Sequence, residues 1–152
     1  MDTLEFRGPH GWLQIHCVVI DVAKSPLAAK GYQHLRYAAG GHGFSGQGDG
    51  FAAEDELRAF CKALAALAQG EDVQPRLSNH GDEAGGLVLT LRNGPEQDRI
   101  SVEGSIVTKV YKTLTKAGGT YTWASEFGFW MPRDTLTVRV RWVETYTEVN
   151  AP

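Results

Sequence analysis

The chain has 152 residues, of which 42% are hydrophobic and 22% charged, and a formal net charge of −3. That is enough chain to close one core without metals or disulfides, so residues 1–152 read as a single domain. The acidic balance argues against nucleic acid as a partner, because phosphate binding needs a basic surface. Apolar runs such as Cys17–Ile20 are far too short to cross a bilayer.

The opening residues, Met1-Asp2-Thr3-Leu4-Glu5, carry neither a basic region nor a long apolar one, so a cytoplasmic protein is expected. The first strand is predicted over Leu13–Val22, with Leu13, Ile15, Cys17 and Val19 on one face and Gln14 and His16 on the other. Ser25-Pro26 marks a break. A second strand is predicted over Gly31–Ala39, where Gln33, Leu35 and Tyr37 face away from His34 and Arg36. The stretch Gly40–Gly50 has glycine at 40, 41, 43, 46, 48 and 50. It reads as a short strand around His42–Gly46 and then a flexible approach to a helix.

The helix is predicted over roughly Ala53–Ala68. Leu57, Phe60, Cys61, Leu64 and Leu67 or Ala68 recur at the spacing that gathers one apolar stripe. Glu54, Asp55 and Glu56 in the first turn complement the helix dipole, and Gly70 is placed to stop it. A loop containing Asn79, Gly81, Asp82, Gly85 and Gly86 leads into a β-meander. Leu87, Leu89 and Leu91 alternate with Val88, Thr90 and Arg92, then Asn93-Gly94-Pro95 turns the chain. Ile100–Val110 alternates next, and Gly118-Gly119 allows a reversal into the aromatic stretch Tyr121–Met131. Pro132-Arg133-Asp134 reads as a further turn, into a strand over Leu136–Tyr146. No internal repeat is evident. The expected fold is α+β: a single, mostly antiparallel sheet with one covered face, packed by one main amphipathic helix. Cys17 and Cys61 fall on its core faces and read as buried thiols, with a bridge between them as the alternative.

Little in the chain has the spacing of reactive machinery. Gly41-x-Gly43-x-x-Gly46 matches the dinucleotide-binding pattern literally, but the helix starts too late and the later strands read as a meander. Gly43-Phe44-Ser45-Gly46-Gln47 lacks the last glycine of a nucleophile elbow. The histidines at 10, 16, 34, 42 and 80 show no metal-ligand spacing. His80, Asp82 and Glu83 share a loop with too few oxygen ligands for calcium. No cofactor or metal is expected, and no catalytic set is assigned.

Three surfaces remain as candidate binding sites. His16 and His34 lie on polar strand faces and would converge with Arg36 if those strands pair; together they could bind an anion, although solvated strand histidines are the plainer reading. Arg139 and Arg141, with Arg133 nearby, would form a small basic patch suited to carboxylates, or simply keep a strand soluble. Phe129 and Trp130 cannot both point inward on a regular strand; an exposed Trp130 would offer a contact for a homodimer or a partner.

A resemblance adds to this. Gly43-Phe44-Ser45-Gly46, Phe51, the series Glu56-Leu57, Phe60, Leu64, Leu67 and Gly70, and the later Ile100-Ser101-Val102-Glu103-Gly104-Ser105-Ile106 are similar to segments of a family of small bacterial proteins. That family includes the WapI-type immunity proteins, which are paired with contact-dependent toxins. The resemblance implies a cytoplasmic, non-enzymatic protein that binds and masks a toxin, with Phe44, Phe51, Gly43 and Gly46 as packing residues and no catalytic residues to carry over. It also implies a helix where Leu136–Tyr146 reads as a strand. The leading expectation is therefore a protein-binding domain. The alternatives are a small-molecule binder or enzyme with a pocket near His16, His34 and Arg36, or a structural dimerisation module.

Overall fold

The computed structural model describes residues 3–18, 31–78, 86–111 and 120–136. Within them the chain forms β1 (Thr3–Arg7), β2 (Gly11–Val18), β3 (Tyr32–Gly41), β4 (Phe44–Ala53), α1 (Glu54–Ala68), β5 (Arg76–Ser78), β6 (Gly86–Asn93), β7 (Arg99–Tyr111) and β8 (Thr120–Pro132). Every described strand pair is antiparallel, as alternation over successive strands predicts.

The strands do not form the single sheet expected. They form two four-stranded sheets, each in sequence order, β1-β2-β3-β4 and β5-β6-β7-β8. The helix interrupts the ladder between β4 and β5, which is where the one expected sheet divides. Two further strands went unpredicted, β1 and the short β5. The glycine-rich stretch is not a flexible approach: β4 runs through it for ten residues and pairs along its length with β3. Gly43, at φ +69°, supplies the left-handed residue of the two-residue turn between them. At the other end, the expected turn at Pro132-Arg133-Asp134 lies at the start of a short helical segment. Residues 133–136 are helical, Leu136 is buried in the core, and the rest of the expected strand lies outside the described residues. A proline just before a helix loses no hydrogen bond, because the first helical N–H groups have no intrahelical acceptor.

Leu57, Phe60, Cys61, Leu64, Leu67 and Ala68 are buried on one side of α1, the stripe read from the sequence. Each large side chain there contributes roughly 1.5–3 kcal/mol of transfer free energy. The helix ends as its glycine predicts. Gly70 adopts φ +84°, its N–H donates to the Leu67 carbonyl at 3.0 Å, and the Glu71 N–H reaches back to the Ala66 carbonyl at 3.1 Å. The two sheets and the helix share one core. They meet at close quarters: Gly11 of β2 lies against the Phe129 ring of β8, and Gly48 of β4 against Ile106 of β7. Cys61 holds its thiol in this core, and the side chain of Cys17 lies outside the described residues. Among the described residues, no helix is long and apolar enough to cross a membrane.

Candidate functional site

Strand alternation divides the first sheet sharply. Leu13, Ile15, Leu35, Tyr37 and Ala39 enter the core. Their neighbours His16, His34 and Arg36 project from the opposite face, as the sequence predicts. Register then brings residues of four strands into line. Thr3 pairs with His16, His16 with Arg36, and Arg36 with Asp49. One step along, His34 pairs with Phe51.

These outward side chains interact with one another. The Thr3 hydroxyl lies 2.8 Å from His16 Nδ1. His34 Nε2 is 3.2 Å from Asp49 Oδ2, and the imidazole stacks on the Phe51 ring at 4.9 Å between centroids. Below the face, the Tyr37 hydroxyl donates to the Asp49 carbonyl at 3.1 Å. Burial, reinforced by the nearby Asp49 charge, pushes the Tyr37 phenol up to about 12.

His16, Arg36, Ala38, Gln47 and Asp49 line an open groove of about 450 Å³, floored by Tyr37 and Gly48. His16 and Arg36 are thus brought together as the sequence suggested, while His34 stands beside the groove and joins it through Asp49. Arg36 is exposed and makes no ion pair or hydrogen bond among the described residues. Sequence reading missed Gln47 and Asp49. Their signal is the alternation Gln47, Asp49, Phe51, hidden by the glycines between them. Phe51, expected to pack at the helix entrance, instead lies on this face.

The other candidate residues fare differently. Trp130 is half-buried, with the Arg99 guanidinium 4.0 Å above its ring, so it presents a covered indole rather than a bare one. Arg139 and Arg141 lie outside the described residues, as do His80, Asp82 and Glu83. Arg133 is half-buried. Its side chain donates to the backbone carbonyls of Leu67 and Gln97 and to Asn93 Oδ1. The Gly41–Gly46 pattern runs through the β3–β4 turn rather than from a strand into a helix, which removes the phosphate-binding geometry it would need. Among the described residues, no group of three or more His, Cys, Asp or Glu side chains is placed to hold a metal ion.

A second groove, of about 620 Å³, lies on the other sheet and is lined by Thr90, Arg92, Glu103, Ser105, Glu126 and Gly128, with Gly104 and Phe127 beneath. Here the charges answer one another: Arg92 Nη2 donates to Glu103 Oε2 at 2.5 Å. No family model matches the chain, and no curated protein or solved structure matches it either.

Proposed function

We propose that this protein is a non-enzymatic binding domain of the immunity type, which masks a partner toxin in the cytoplasm through the outer face of its first sheet. The observation that carries this reading is the composition of that face. Tyr32, the exposed large hydrophobic residue among those described, continues the same strand face as His34 and Arg36, with Phe51 and Asp49 beside them. Tyrosine and arginine on an exposed, rigid sheet are the residue types that supply most binding energy at protein interfaces. The resemblance to the WapI-type proteins supports the immunity reading. Its motif residues Gly43, Leu57, Phe60, Leu64, Leu67 and Gly70 occupy turn, core and helix-end positions. The helical residues 133–136 run up to Leu136, the first residue of the stretch where that resemblance calls for a helix.

The test is co-expression with the protein encoded by the neighbouring gene, followed by affinity purification. The expected result is a stoichiometric complex that Tyr32→Ala together with Phe51→Ala weakens. If the neighbouring product is not retained, or if it is retained equally by that double variant, the reading fails.

A second reading, a small-molecule binder or enzyme, is supported by the groove itself, because His16, Arg36 and Gln47 converge on about 450 Å³. Its open, polar shape suits a side chain presented by a partner better than an enclosed ligand, since small-molecule sites are largely concave and apolar.

A further inference from the structure

The two halves of the chain follow one plan. Inward-facing Leu4, Ile15, Tyr37 and Gly48 form one row across the first sheet, and Leu77, Leu89, Gly104 and Phe127 form the matching row across the second. Counting along the chain from Gly48 and from Phe127 reaches a helix after the same interval, at Glu54 and at residue 133, and makes Leu57 the counterpart of Leu136, both buried in the core. The outward rows also match: Thr3–His16–Arg36–Asp49 in the first sheet and Arg76–Thr90–Glu103–Gly128 in the second. The two grooves occupy this same place in the plan, with Arg36 where the second has Glu103, and Gln47 where it has Glu126.

We infer that the chain is a fused pair of ββββα units, and that its first groove is a receptor for a carboxylate side chain of a partner protein, held by Arg36 and His16. The inference rests on the protein-binding reading above and names the chemistry of that partner. The second groove serves as an internal reference: its arginine is neutralised by Glu103 within the sheet. In the first, the acid facing Arg36 across the strands is Asp49, and its Oδ2 is engaged by His34. The Arg36 fork is left for an incoming group, and a carboxylate matches its two parallel donors. His16 can add a third donor. When the Thr3 hydroxyl donates to Nδ1, the imidazole proton lies on Nε2, with the ring lining the groove. The polar, open mouth admits a side chain projecting from a protein surface without requiring the ligand to be enclosed.

The test is a titration of the intact, isotope-labelled protein with the peptide acetyl-Glu-Glu-Glu-amide, read at the Arg36 Nε–H and His16 ring signals. The parallel arms are acetyl-Gln-Gln-Gln-amide and inorganic phosphate at matched ionic strength. The expected result is a saturable shift with the acidic peptide alone, weakened by about tenfold or more in Arg36→Gln and unchanged in Arg92→Gln. Arg36→Gln is expected to keep the thermal midpoint of the parent, because Arg36 makes no ion pair or side-chain hydrogen bond among the described residues. Absence of a shift at Arg36, an equal shift with phosphate, or binding that survives Arg36→Gln overturns the inference. Retention of the neighbouring-gene product by both parent and Arg36→Gln would overturn carboxylate recognition and leave the binding reading intact. A saturable peptide site in a protein that retains no such product would uphold the receptor and remove the immunity reading.

Discussion

Arg133 Nη1 donates to the carbonyl oxygen of Leu67 at 2.5 Å, joining the residue after β8 to the last turn of α1. The same guanidinium holds Asn93 Oδ1 at 2.6 Å and the Gln97 carbonyl at 2.7 Å, while the Arg133 backbone N–H donates to the Asp98 carbonyl at 2.8 Å. A cation beside helix-terminal carbonyls also meets the negative end of the helix dipole. Arg133→Ala is expected to cost about 2–3 kcal/mol, measured by urea unfolding. Arg133→Lys should recover only part of it, because an ammonium cannot span three divergent acceptors.

Tyr37 should make stability depend on alkaline pH. Its phenol titrates at about 12 in the folded protein against an ordinary 10.0, so the unfolded chain gives up this proton first. The contribution is complete below pH 10.0 and is lost as pH rises towards about 12. Tyrosinate absorbance should show a late-titrating group that Tyr37→Phe removes. A late titration of unchanged amplitude in that variant would contradict the assignment.

Glycine at 48 is needed for close packing rather than for an unusual backbone. A Cβ there would stand 2.7 Å from Tyr37 Cε2 and 3.2 Å from Ile106 Cγ2. The Tyr37 ring is held by its hydroxyl, so it cannot simply swing aside. Gly48→Ala should therefore destabilise by about 1–3 kcal/mol, the usual range for overpacking. A thermal midpoint equal to that of the parent would show that the sheets yield more readily than this.

The start of α1 offers a gain. Ala53 occupies the N-cap in extended conformation and provides no side-chain acceptor. Ala53→Ser should stabilise the protein by about 0.5–2 kcal/mol, read as a higher midpoint in chemical denaturation. Serine is preferred to aspartate because Glu54, Asp55 and Glu56 already crowd the first turn with negative charge.

What the sequence disclosed, and what it concealed, follows from the kind of signal each element carries. Leu57, Phe60, Leu64 and Leu67 repeat at a helical period and could be read directly; so could the outward placement of His16, His34 and Arg36. Residues 44–53 were obscured because glycine has no side chain with which to mark a face, although Gln47, Asp49 and Phe51 keep the period of two. Division into two sheets was not legible, since alternation tells which face a residue takes and not which strand lies beside it. The repeated plan was concealed by chemistry. Tyr37 over Gly48 corresponds to Gly104 under Phe127, the ring and the gap having exchanged strands. No residue-by-residue comparison would align such a pair. The helical residues after Pro132 look like a turn in the sequence because proline ends a strand and begins a helix with equal ease.

Every described strand pairs with its neighbour in the chain within its own sheet. A polypeptide wired in this way has low contact order for a β-rich protein, because each ladder can zip from its own hairpin before distant segments are searched. Acquisition of structure should consequently be local and early within each half, leaving the docking of the halves as the slow event. Kinetic phases that report on the Gly11–Phe129 and Gly48–Ile106 junctions should be the last to complete.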